Sequence, residues 1–320
     1  MTNPLSILAY KVMALVLSLM ASWGMVATPS SEAPVIVDEN AALSFAVWGD
    51  CQVSNYMYER QANFSAACAD LKNTVGSLVL VGDIGENGME SEYSTVRDML
   101  NPASNAFEHF LCLPGNHDIR LKAFNLQHKR FSEFNNSIKG SVPLKNDSYW
   151  YSYEINGYKF IITPTDKTVF EEAYISDEQL SFIDREIAST QGTGKPVFVF
   201  AHQPLKNTHG LPGTWNAPEF LKAGSIGKQS DRLKAVFEKY NNVVFITGHL
   251  HTGTGEYTYE DYGSFKAFNV QSICANNDNG LENDAQGLVF SVYPDKICVR
   301  SRIFGEGKYV DESVYRGGKL

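Results

Sequence analysis

Five short apolar runs, each closed by a polar cluster, constrain this chain more than any other feature: LSFAVWGD, SLVLVGD, HFLCLPGNHD, PVFVFAH and NVVFITGHLH. Between the first three lie amphipathic stretches at 56–72 and 90–100, long enough to be helical crossovers between parallel strands. Strands and helices taking turns in this way predict a layered α/β domain. Asn156-Gly157 separates YWYSYEI from YKFIITP and predicts a hairpin. From Tyr257 through Ile303 the pattern is mostly strand, and it suggests a second sheet packed on the first. No repeat, low-complexity linker or composition break divides the chain. The reading is therefore a single domain over residues 43–310, a flexible N-terminal segment at 28–42 and a tail at 311–320.

The first residues call for separate treatment. After Lys11, the run from Val12 to Val26 carries no charge and is followed by ATPSSEAP. That is the length of a signal-peptide core and shorter than the ~20 apolar residues of a membrane span. A leader over residues 1–27 implies an exported protein with no stable membrane span after its removal; an uncleaved anchor is the alternative. Acidic residues outnumber basic ones 36 to 27, for a net charge of -9. That disfavours a broad nucleic-acid surface, which works by releasing counterions from phosphates. The five cysteines lack metal-site spacing, and no pairing among them is decided.

The chemistry lies in the closing clusters: Asp50-Cys51-Gln52, Asp83, Asn116-His117-Asp118, His202 and His249-Leu250-His251. Alternate residues of an extended segment point the same way, so both imidazoles of His249 and His251 aim at one point, as do Asp50 and Gln52. Four of the seven histidines sit in these clusters. Carboxylate, imidazole and amide oxygen together suit borderline or hard metals such as Mn, Fe or Zn, and ligands in open α/β sheets gather beyond the carboxyl ends of the strands.

With those five clusters in order, the chain from Asp50 to His251 resembles the calcineurin-like metallophosphoesterases. The resemblance implies a two-sheet sandwich flanked by helices, in four layers, and two metal ions at the strand ends. It also implies hydrolysis of small phosphomonoesters or phosphodiesters with a bridging hydroxide as nucleophile. Carried over, Asp50 and His251 bind the first metal, Asp83 bridges, and Asn116, His202 and His249 bind the second. His117 is the candidate proton donor to the leaving oxygen. Its orienting carboxylate is Glu86, preferred over Asp118. Gln52 departs from the family's pattern, standing where most members have histidine. Its amide oxygen is a weaker donor, which implies a first metal held less tightly or more selectively. Glu86 also occupies the place of a tyrosine found in purple acid phosphatases, which disfavours that branch. Arg120 is a candidate phosphate contact, with a surface arginine as the alternative, and His209 a candidate for the pocket wall. A non-catalytic metal- or ligand-binding protein on the same fold is the competing reading.

Overall fold

The computed structural model describes residues 40–71, 76–144, 149–215, 224–282 and 285–318. The leader at 1–27 and nearly all of the 28–42 segment lie outside them.

The apolar runs are strands. β1 (Leu43–Trp48), β2 (Ser77–Val81) and β3 (His109–Leu113) run parallel, β1 against β2 and β2 against β3. Helices α1 (Tyr58–Asp70) and α2 (Glu90–Leu100) make the crossovers that parallel neighbours require. After β3 come one turn of helix, α3 (Asn116–Ile119), and the longer α4 (Phe124–Ser137). β4 (Tyr151–Ile155) and β5 (Tyr158–Ile162) form the hairpin, with Asn156 at φ 53 and Gly157 at φ 74, the two positive values that a type I′ turn demands. β6 (Val197–Phe200) and β7 (Val243–Thr247) extend β5 in parallel, returning through α5 (Asp177–Ala188) and α6 (Ser230–Phe237).

The C-terminal third does not form a sheet of its own. β8 (Tyr259–Asp261) and β9 (Phe265–Asn269) complete the sheet of β4 to β7, while β10 (Gln286–Val292), β11 (Lys296–Ile303) and β12 (Lys308–Gly318) extend that of β1 to β3. The result is two six-stranded sheets, ordered β12-β11-β10-β1-β2-β3 and β4-β5-β6-β7-β9-β8. β10 pairs antiparallel with β1, giving Phe45 the partner Phe290. Strand pattern alone carries no information on which sheet a strand joins. The tail read at 311–320 is likewise corrected, because β12 pairs with β11 as far as Gly318 opposite Lys296. Its polar, glycine-ended sequence belongs to a sheet edge, where one side needs no apolar partner.

Side-chain alternation sorts the layers. In β1, Phe45 and Val47 face the other sheet; Phe45 stacks at 4.7 Å on Phe290 of its own sheet and meets Phe198 of β6 edge-on at 4.9 Å. Ala46 and Trp48 face outward, onto Phe64 of α1. Across the molecule, Val197, Val199 and Phe245 pack outward on Leu180 and Ile183 of α5 and Phe237 of α6. The order is thus helix, sheet, sheet, helix, the four layers expected. Each fully buried large apolar side chain contributes roughly 1.5–3 kcal/mol, so this double core makes the strand ends a rigid frame. Among the described residues no helix is long and apolar enough to cross a membrane. Four of the five cysteines, Cys51, Cys68, Cys112 and Cys274, are buried.

Candidate metal centre

β1, β2 and β3 of one sheet and β6 and β7 of the other end on the same side of the sandwich. There the chain turns sharply: Asp50, Gln52, Asp83, His249 and His251 all adopt positive φ, between 41 and 77. A side chain in that region costs about 1–2 kcal/mol, and five such residues at strand ends mark a place where geometry has been favoured over stability. Glycines make room for them. A Cβ on Gly115 would run into the Asp83 carboxylate, and one on Gly82, at φ 96, into the His202 ring.

The most informative contacts surround His202. Its Nδ1 lies 2.7 Å from the Val81 carbonyl, which only accepts, so Nδ1 carries a proton and Nε2 of the neutral ring is a bare acceptor. Facing that Nε2 are Asn116 Oδ1 at 3.1 Å, His249 Nδ1 at 3.1 Å and Asp83 Oδ1 at 3.3 Å. Ligand atoms of Asp83, His202 and His249 fall within 4.8 Å of one another, and all three residues are buried. The other ring nitrogen of His249, Nε2, is buried with no hydrogen-bond partner, and Trp215 lies along the ring at 4.7 Å. Lone pairs converging in a dry site repel unless a cation sits among them. Without a metal a proton takes the cation's place on Nε2: burial opposes charge on His202, yet Asp83 and Asp50 outweigh it and lift its pKa to about 9. Burial would raise the Asp83 carboxyl, but the His202 and His117 rings hold it well below the usual carboxylate range. Burial and the His202 charge push His249 far down. The donor set thus fits a metal ion, with Asp83, Asn116, His202 and His249 able to hold it.

Asp50 and His251 stand next to this group. Asp50 Oδ1 is 3.1 Å from His251 Nε2 and 4.0 Å from His202 Nε2, while its Oδ2 accepts the His249 backbone N–H at 2.8 Å. Gln52 enters the same pocket, but its amide Nε2 is 3.1 Å from His117 Nε2. Cys51 points into the apolar core, as strand alternation predicts.

His117 comes from α3, held by its backbone N–H to Asp83 Oδ1 at 2.9 Å. Its Nδ1 faces Glu86, 3.0 Å from the carbonyl oxygen and 3.4 Å from the carboxylate. Glu86 is gripped by Arg60 at 2.6 Å and Arg120 at 3.0 Å. Burial raises the Glu86 carboxyl, but His117 and Arg60 outweigh this and lower it. Burial works against charge on His117 too, but Asp83 and Glu86, opposed by Arg120, raise its pKa to about 9. Two donors, Gln52 Nε2 and the Arg120 guanidinium, face His117 Nε2 at 3.1 and 3.2 Å, so a protonated ring, which donates from both nitrogens, requires Gln52 to turn its amide oxygen toward Nε2 and Arg120 to move off it.

Two candidates, Asp118 and His209, meet a different geometry, and a third, Arg120, stands beside His117. Asp118 does not touch the His117 ring. It is fully buried and accepts the N–H groups of Ile84, Gly85 and Gly115 and the Tyr93 hydroxyl. Burial and the Asp83 charge push its pKa to about 6, and its work is to tie the β2 and β3 loops together. His209 is fully buried, with its Nδ1 2.8 Å from the Tyr257 carbonyl and its backbone N–H donating to Glu260, so it is a loop anchor and no part of the pocket wall. Arg120 lies 3.2 Å from His117 Nε2, but its other contacts are Glu86 and Asn87.

The cleft over these groups has a volume of about 220 Å³. Besides the clusters it is lined by Glu171, Thr214, Trp215 and Asp278, which no motif in the sequence marks. A larger cleft of about 620 Å³, between α4 and Tyr149-Trp150, contains none of the clustered groups. Chemistry, not size, distinguishes the smaller one.

Comparison with known proteins follows the same lines. The family model for calcineurin-like phosphoesterases matches residues 43–253, about two thirds of the chain. No curated protein matches by sequence. Among solved structures, a dimetal phosphatase from Danio rerio is similar at 14% identity and a TM-score of 0.58, covering 82% of this chain and 96% of its own. A purple acid phosphatase from yellow lupin (Lupinus luteus) is similar at 16% identity and a TM-score of 0.60, covering 84% of this chain and 52% of its own. The anchor protein of the Plasmodium inner membrane complex, at 13% identity and a TM-score of 0.59, covers 87% and 88%. These likenesses are of fold. With a matched family model, the four-layer fold and an acceptor cluster that fits a metal, the chain belongs to the calcineurin-like phosphoesterases and is a metal-dependent phosphoester hydrolase.

Proposed function

We propose that this protein is exported and hydrolyses a small phosphomonoester or phosphodiester in the cleft between Gln52, His117 and His251. The observation that carries the reading is the convergence of Asp83, Asn116 and His249 on His202 Nε2, with His117 beside it. Asp50 and His251 would hold one ion and Asn116, His202 and His249 the other, with Asp83 available to both. When bound, such a pair supplies Lewis acidity toward a phosphoryl oxygen and lowers the pKa of water. His117 delivers a proton to the leaving oxygen, with Glu86 fixing its Nδ1 side and the arginine pair fixing Glu86. Arg120 adds positive charge beside the departing group. Export rests on the uncharged run from Val12 to Val26 and the small, polar residues after it.

The test is an assay of the whole protein on paired aryl phosphomonoester and diester substrates, with metals measured in the same sample. Turnover with metal bound is the expected result, and the ratio of the two rates assigns the ester class. A protein that stays metal-free and inactive after Mn or Zn is added is a binding protein on this fold. Export is tested separately by N-terminal sequencing of protein recovered outside the cytoplasm, expected to begin near residue 28; retention of the leader on such protein would mean an anchor.

A further inference from the structure

The cleft contains an acid that none of the clusters announces. Glu171 lies in the loop after β5, and its Oε2 accepts the side-chain Nδ2–H of Asn116 at 2.6 Å. The turn that delivers it is unusual. Glu172 N–H donates to the Val169 carbonyl at 3.0 Å, and Phe170 occupies the tight corner at φ 49 with its ring 73% exposed. Bulky residues avoid that conformation, and an exposed phenylalanine gains nothing from burial there.

An amide side chain has a donor end and an acceptor end, and a free asparagine presents either one. A carboxylate accepts only, so Glu171 can bind Asn116 only through Nδ2. The oxygen Oδ1 is thereby turned the other way, where it stands 3.1 Å from His202 Nε2 among the lone pairs of the cluster. We infer that Glu171 is a positioning residue that fixes the amide of Asn116 with its oxygen toward the metal cluster. This rests on the metal-dependent reading of the site. The hydrogen bond does the work, and the negative charge of Glu171 is incidental to it. Outer partners of this kind usually change metal affinity by about 10–100-fold.

The experiment separates bond from charge. Mn binding to the whole protein is titrated calorimetrically for wild type, Glu171→Gln, Glu171→Asp and Glu171→Ala, each first checked for folding by circular dichroism. Glutamine keeps an acceptor at the same reach without the charge, but its amide can also turn its donor end to Asn116, so it is expected to lose affinity by less than alanine does. Aspartate keeps the charge but withdraws the acceptor by one methylene. It is expected to lose about tenfold or more in affinity, as is alanine. If Asp behaves as wild type while Gln loses affinity, charge is the cause and the positioning role is wrong. Equal affinity in all four overturns it as well. Wild type that binds no Mn, Zn or Fe overturns the metal reading and this inference together, whereas wild type that binds normally beside an indifferent alanine variant overturns this inference alone. If the alanine variant does not fold, the Gln and Asp pair decides.

Discussion

Asp83, Asn116, His202 and His249 form one half of the centre and Asp50, Gln52 and His251 the other, and the two halves are built differently. In the first, all four side chains are buried and their donor atoms crowd one another at 3.1 to 3.3 Å around His202 Nε2, with Trp215 covering His249. In the second, the His251 side chain is 25% exposed, and Gln52 is turned to His117, so that Asp50 and His251 are the remaining pair. A dry, crowded set of acceptors binds a cation more strongly than an open pair, because water competes less and the lone pairs repel more without it. On the proposed two-ion reading the centre is accordingly unequal, with a tight half and a loose half that share Asp83.

The largest effect should come from the joint itself. Asp83→Asn is expected to reduce turnover by roughly 10³-fold and to lower the metal content of both halves, read by metal analysis of the purified variant. An active variant with two ions bound would mean that the halves do not share Asp83. Next is His117→Ala, which touches the chemistry of both halves without belonging to either. Turnover should fall by about 10²–10⁴-fold with metals retained, most severely for esters with poor leaving groups. Equal loss for good and poor leaving groups would remove the proton-donor role.

The inequality is tested by a paired substitution. His249→Ala, in the tight half, should weaken the more tightly held ion, and His251→Ala the less tightly held one. A chelator titration would follow the two ions in order of release. If both variants release metal at the same chelator concentration, the halves are equal.

The smallest effect is in pH. His117 must be protonated to donate, so turnover should decline as pH rises, and Glu86→Gln should move that limb to lower pH by removing a carboxylate that favours the charged ring. In the metal-free protein the sign is the same. A folded value of about 9 above an ordinary 6.5 stabilises the fold fully below 6.5 and is lost as pH climbs through 9, seen as a falling Tm that is shallower in His117→Ala, where His202, also near 9, still contributes. A limb that stays in place in Glu86→Gln would leave Glu86 without an orienting role.

Much of this was legible in the residues. The runs ending at Trp48, Val81, Leu113, Phe200 and Thr247 are strands because continuous apolar residues are needed where a strand is covered on both faces. Asn156-Gly157 turns because both residues tolerate positive φ. The groups at His202 are residues that close those strands, so their convergence followed from parallel pairing. Glu171, Trp215 and Asp278 were not legible, since each comes from a loop with no pattern of its own. Arg60 was equally hidden, 26 residues from the Glu86 it grips.

The sequence by itself determined the strands and the polar clusters that close them, because local apolar pattern selects strands and each parallel strand presents its last residues at the same end. Tertiary structure decided what each group does. His209 and Asp118 carry the same atoms as His117 and Glu86, but burial and a ring of hydrogen-bond partners direct them to holding loops together. It also decided which way Asn116 faces, because an amide takes its direction from a neighbour that local sequence does not specify.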